Sequence, residues 1–222
     1  TALARRTLKD LPARAPYARL SRDGQIDYEI FRHDLTKTLW LAANTRPFED
    51  DPRVYSEYLS DSVFLLLTQS TLPAETNIAN ALARMRAIPA VVAAARAHLR
   101  NPPAAVLDTA ILQNQGAIQF YEKEIFEFVG NSPQREAVAA AGAQVAILLR
   151  EYQRFLEHDI RPRATGDWRL GRARYHRKLE LELDAGITAS QVLEDARSEY
   201  KRVLTEMYVI ARQLWSRYHP QE

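Results

Sequence analysis

The sequence predicts an all-α fold, an elongated bundle of long and mostly antiparallel helices. Three observations carry this. Pro52, Pro73, Pro103 and Pro133 each stand just before a long proline-free stretch, where a fixed φ and a missing N–H cost a helix least. Apolar residues recur at steps of three and four, as in Leu193, Ala196, Tyr200, Val203, Met207, Ile210 and Leu214, which draw one stripe along a helix. No segment alternates with period two, and no Asn-Gly or Asp-Gly turn lies between apolar runs, so hairpin signals are missing.

Taken in order, the signals predict a short helix near 2–10 and long ones near 22–44, 52–69, 74–100, 103–129, 133–159, 172–184 and 189–218. Asp51, Ser132 and Thr188 are suitable N-caps, and Thr188-Ala-Ser-Gln191 has the spacing of a capping box. Ile78, Leu82, Met85, Ile88, Val92 and Leu99 form a second stripe. Pro89 interrupts it and predicts a kink, or a split after Ala87. Helices of 20–30 residues reach about 30–45 Å and suit antiparallel neighbours joined by short loops. The irregular connection 160–171, rich in Pro, Gly and Arg, reads as a hinge. It divides an N-terminal bundle, 1–160, from a hinge and terminal helical pair, 161–222, packed on it as part of one domain or as a second.

The 30 basic and 28 acidic residues nearly cancel, so the pI near 8.9 is not the basic footprint of a dedicated nucleic-acid binder. Nucleic acid is therefore an unfavoured partner. The absence of cysteine excludes disulfides, thiolate nucleophiles and Cys-ligated metal sites. Apolar runs such as Val63-Phe64-Leu65-Leu66-Leu67 are far shorter than the roughly 20 residues a bilayer span needs, so no membrane segment is expected. The chain opens on Thr1 with no basic-then-apolar leader, which reads as a processed chain or an internal piece, soluble and of unassigned compartment.

The five histidines, at 33, 98, 158, 176 and 219, match no metal spacing. A helical zinc peptidase needs His-Glu-x-x-His and a di-iron bundle needs Glu-x-x-His, and neither occurs. His176 and Glu180, one turn apart, read as an exposed helical pair, and His33, at the border of an apolar stripe, as a partly buried hydrogen-bonding residue. Glu122, Glu124 and Glu127 do not form a catalytic pair. Glu124 and Glu127 share a face, Glu122 points away, and Lys123 stands at pairing distance from Glu127. There is no nucleophile elbow and no phosphate-cradling glycine loop, so Gly166 and Gly171 serve turns. No catalytic, cofactor-binding or metal-ligating residue is assigned in this chain.

What remains is RPRATGDWRLGRARYHRKLELEL, 161–183, in which Arg161, Arg163, Arg169, Arg172, Arg174, Arg177 and Lys178 surround Trp168 and Tyr175. Over 161–178, with Asp167 as the one interruption, the segment carries about six net positive charges at neutral pH, enough to attract an anion. Trp168, Arg169, Arg172 and Tyr175 are the candidates for substrate or partner contact, by stacking and by charge. The competing reading is a solvated or locally paired helix flank.

The order of features over most of 18–210 resembles the N-terminal half of a bacterial family, domain of unknown function 885. The stretches that carry the resemblance are RLSRDGQIDYEIFRHDL, RPFEDDPRVYSEYLSDSVFLLL, AIPAVVAAARAHLRNPPAAVLDTAI and YQRFLEHDIRPRATGDWRLGRARYHRKLELELDAGIT. Full members look like helical zinc peptidases because their C-terminal half holds a His-Glu-x-x-Pro-Gly-His motif, which this sequence does not contain. No catalytic or metal residue can therefore be carried over. The resemblance implies a wall or cover of a substrate cleft, with zinc, its base and the peptide chemistry in the absent half, which would be the principal partner.

Two functions are expected from these readings. One is the non-catalytic helical portion of a zinc-dependent peptidase or related hydrolase. The other is an interaction module that binds an anionic partner through 161–178. The last helix, deprived of a native neighbour, could also pair with a second copy, making a homodimer an effect of truncation.

Overall fold

The computed structural model describes residues 1–184 and 186–219. Among these the protein is all-α, with no strand and one isolated antiparallel bridge, Pro103 to Thr165. The helices are α1 (Ala2–Arg14), α2 (Arg22–Asn44), α3 (Pro47–Asp50), α4 (Arg53–Ser56), α5 (Ser62–Gln69), α6 (Ala74–His98), α7 (Ala104–Gln119), α8 (Ile125–Val129), α9 (Arg135–Arg154), α10 (Arg172–Leu183) and α11 (Ala189–Tyr218).

Of the three expected N-caps, Thr188 occupies that position, whereas Pro52 and Gln134 stand at the N-caps of α4 and α9 without a side-chain cap bond, and Asp51 and Ser132 bond just outside those helices. Asp51 Oδ1 accepts the Arg53 N–H at 3.0 Å. Ser132 Oγ accepts that of Gln134 at 3.1 Å. Thr188 and Gln191 close a capping box, with Gln191 N–H donating to Thr188 Oγ1 at 3.2 Å and Thr188 N–H to Gln191 Oε1 at 2.8 Å. Pro73 and Pro103 sit at the N-caps of α6 and α7, and their carbonyls accept from Asn77 and Leu107. Pro89 does not split α6, which is continuous through it. Met85, Ile88, Val92 and Ala95, on either side of the proline, are all buried, so packing holds the helix together where one hydrogen bond is missing.

Three of the long helices expected from the sequence contain wider turns with i→i+5 bonding. These π turns cover Glu57–Asp61 between α4 and α5, Phe120–Glu124 between α7 and α8, and Phe155–Ile160 after α9. Each inserts a residue into the helical ladder and rotates the side chains beyond it about the helix axis. That rotation undoes the expected Lys123–Glu127 pair, which does not form among the described residues. Glu122 is drawn instead to Arg150 of α9.

Contacts divide the chain into two compact units, Thr1–Asn44 with the residues from Leu170 on, and Thr45–Arg169. The segmentation expected from the sequence, 1–160 and 161–222, follows chain order and could not anticipate a unit assembled from both ends. In the discontinuous unit α1 and α10 pack on α2. His33 of α2 donates its Nε2 proton to the Leu181 carbonyl at 2.7 Å, and its Nδ1 lies 3.3 Å from Asp184 Oδ1. This ties α2 to the last turn of α10, whose carbonyls have no partner within the helix.

In the unit formed by 45–169, α9 packs on α6 and α7, α5 on α6, and α4 on α7. The core contains Val63, Met85, Ile88, Val92, Leu107, Ile125, Leu149 and Leu156. By length and composition α6 would also suit a membrane crossing, contrary to the sequence expectation. Here it is a core helix, with Ile78, Leu82, Met85, Ile88, Val92 and Ala95 buried. Helix α11 is different: none of its described residues is buried, and Leu193, Tyr200, Met207, Ile210 and Leu214 lie exposed along its apolar side.

Candidate functional site

The basic segment follows directly on the third π turn and opens with a 3-10 turn, Arg161–Arg163, with Pro162 near its start. Arg161 Nη1 reaches Asp108 Oδ1 of α7 at 2.8 Å. The chain then runs along the loop that ends α6. Thr165 N–H donates to Asn101 Oδ1 at 2.8 Å, Thr165 Oγ1 donates to the same oxygen at 3.2 Å, and Gly166 N–H approaches the Pro102 carbonyl at 3.4 Å. Gly166 is required here, because a Cβ at this position would lie 2.3 Å from the Asn101 carbonyl oxygen. The Arg-Asn-Pro-Pro and Thr-Gly-Asp-Trp stretches, far apart in sequence, are therefore fastened to each other.

Asp167 shapes the next turn by accepting from the Arg169 N–H at 3.0 Å. Trp168 is 63% exposed, and the Arg169 guanidinium stacks on its ring 4.3 Å from the centroid. The pair offers a flat aromatic and cationic surface fixed by the Asn101 anchor, and Asp167, 3.5 Å from Arg169 Nη1, offsets part of the charge. Gly171, with φ of 78°, precedes α10.

The four candidate residues fall in different units. Trp168 and Arg169 end the unit formed by 45–169, and Arg172 and Tyr175 lie exposed in the first two turns of α10. Tyr175 stands edge-on to His176, with centroids 6.3 Å apart. Glu180 turns to Arg177 at 2.9 Å, and Lys178 pairs with Glu182, so part of the positive charge is neutralised on the helix itself. His219 stacks on Trp215 with centroids 4.3 Å apart. Among the described residues no three His, Asp or Glu side chains converge in a way that could hold a metal ion.

Sequence reasoning missed a pocket between the first two π turns, lined by Ser56, Asp61, Phe64, Gln113, Phe120 and Glu124 among others. Its parts come from α4–α5 and α7–α8, and the π turns that aim them leave no trace in an apolar pattern.

No curated protein matches the chain. A solved structure described as that of a putative lipoprotein of unknown function from Shewanella oneidensis is similar, with a TM-score of 0.67 and 24% sequence identity, and this likeness is one of fold. The match covers 100% of this chain and 42% of that one, so the chain spans less than half of its structural neighbour's length. The model of one bacterial family matches residues 1–222, throughout the chain. The protein belongs to that family, the bacterial proteins of unknown function DUF885.

Proposed function

We propose that this chain is the non-catalytic N-terminal helical portion of a zinc-dependent peptidase or related hydrolase, and that it forms part of a substrate cleft. The observation that carries the reading is α11, 30 residues long with an apolar side and no buried residue. Its apolar side chains Leu193, Tyr200, Val203, Leu204, Met207, Tyr208, Leu214 and Trp215 span an arc wider than a two-helix seam needs. Such an arc suits burial in a larger core supplied by further chain. The length of the structural neighbour is compatible with that. Zinc and the base that activates water would belong to that further chain, and Trp168, Arg169, Arg172 and Tyr175 would face a peptide substrate.

The test compares this chain with a longer polypeptide that continues into a His-Glu-x-x-Pro-Gly-His segment. The longer protein is expected to bind zinc stoichiometrically and to hydrolyse peptides, and the 222-residue chain to do neither. Tight zinc binding with peptidase activity in this chain alone would overturn the reading. So would a longer protein with no hydrolytic activity.

The exposed Trp168–Arg169 stack favours a second reading, an interaction module for an anionic protein surface. Binding that falls steeply with salt and is lost on replacing Arg169, Arg172 and Arg174 would support it. Salt-independent binding would count against it.

A further inference from the structure

The pocket between the first two π turns has a volume of about 300 Å³. Asp61 and Glu124 both line it, and neither has a cationic partner within 4.0 Å among the described residues. Each is steadied by a neutral neighbour. Ser60 Oγ donates to Asp61 Oδ1 at 3.1 Å, and Gln119 Nε2 donates to Glu124 Oε1 at 2.7 Å. One oxygen of each carboxylate is thus fixed and the other is open. The rings of Phe64 and Phe120 meet edge to face at 5.9 Å in the same lining, and Ser56, Ser60, Gln113 and Gln119 complete it without any Lys, Arg or His.

Gly116 supplies an independent observation. It lies inside α7, where glycine costs about 1 kcal/mol relative to alanine. Neither packing nor backbone accounts for it: an added Cβ would meet nothing within 4 Å, and its φ is not in the left-handed region. Gly116 lines this pocket, and no side chain of its own extends into that space. Carboxylates without a counter-charge, aromatic rings in the same lining and a position left without a side chain describe a receptor for a cation.

We propose that this pocket binds an organic cation, the guanidinium or primary ammonium group of a basic side chain. The cation's N–H groups donate to the open oxygens of Asp61 and Glu124, and its charge lies against Phe64. The site is built within 56–124 and does not depend on whether the chain belongs to a peptidase.

The test is a titration of the 222-residue chain followed by NMR, with Nα-acetyl-arginine amide, Nα-acetyl-lysine amide and the neutral isostere Nα-acetyl-citrulline amide. The two cations are expected to shift the Gly116 amide and the Gln119 side-chain amide saturably, and citrulline to bind at least about tenfold more weakly. Asp61→Asn and Glu124→Gln should each weaken the arginine derivative by about tenfold. Gly116→Leu puts a side chain into that space and is a better helix former, so it should abolish binding while the thermal midpoint holds or rises. Equal binding of citrulline would overturn the proposal. So would undiminished binding in Gly116→Leu, or the absence of saturable shifts with either cation.

Discussion

Tyr121 donates its phenolic proton to the carbonyl oxygen of Leu59 at 2.6 Å, so a side chain from one π turn satisfies the backbone of another. Both residues are buried. A π turn leaves one carbonyl outside the regular i→i+4 ladder, and in an apolar interior that group needs a donor.

Tyr121→Phe removes the donor and strands the Leu59 carbonyl, which should lower unfolding stability by about 1–3 kcal/mol. Tyr152→Phe is the informative control. Tyr152 is equally buried, but among the described residues its hydroxyl has no hydrogen-bond partner, so its removal should be neutral or stabilising. Urea unfolding of the two variants measures the contrast. Equal losses would mean that the Tyr121 hydrogen bond contributes nothing particular.

The same phenols predict a pH dependence. Burial, and secondarily the charge of Asp61, pushes the Tyr121 hydroxyl above the usual phenol value of 10.0. Burial does the same for Tyr152 and Tyr55. The folded state therefore holds these protons more tightly than the unfolded chain does. Their contribution is complete below the unfolded value and is lost as pH rises from there toward the folded values. Each phenol adds a slope of up to about 1.4 kcal/mol per pH unit in that window. Urea midpoints measured between about pH 9 and 11.5 should fall, and Tyr121→Phe should remove its share of the slope.

Helix starts were legible in the sequence because they depend on neighbours: Thr188 and Gln191 are three residues apart and need nothing else to form their box. The buried stripe of α6 was legible for the same reason, since Ile78, Leu82, Met85, Ile88 and Val92 follow one period. The π turns were not. An extra residue in a helix leaves both flanking patterns intact and appears only when Tyr121 meets Leu59. His33 with Leu181, and Asp61 with Glu124 around one pocket, depend on chain closure that no local pattern encodes. Of the basic segment, its exposed aromatic and charged character could be read directly. Its attachment to Asn101, and the separation of Trp168 and Arg169 from Arg172 and Tyr175 into different units, could not.

Two glycines in neighbouring helices should respond oppositely to alanine. Gly142 of α9 faces the second π turn, and a Cβ there would lie 2.8 Å from the Tyr121 carbonyl oxygen. Backbone cannot yield as a side-chain tip can, so Gly142→Ala should destabilise by about 1–3 kcal/mol despite its better helix propensity. Gly116→Ala meets nothing and should stabilise by up to about 1 kcal/mol. Thermal melts of the two variants decide the matter, and a stable Gly142→Ala would refute the close packing of α9 on this turn.

Asn101 and Gly166 set the order of the segment that presents Trp168. Asn101 Oδ1 accepts two hydrogen bonds from Thr165, and Gly166 passes too close to the Asn101 carbonyl to carry a side chain. Asn101→Ala removes both acceptor interactions but leaves Gly166 in place, whereas Gly166→Ala forces the two segments apart. Both should free 164–169, and tryptic cleavage after Arg163 and Arg169 reports it, since proteolysis tracks the open population when reclosing is fast. Loss of about 1–2 kcal/mol of local stability corresponds to roughly five- to thirtyfold faster cleavage at these two sites. The urea midpoint of the whole chain should change much less, because the core around Leu107, Leu149 and Leu156 is untouched. Cleavage at the wild-type rate in both variants would mean that the Asn101–Thr165 bonds do not hold the Trp168–Arg169 surface in place.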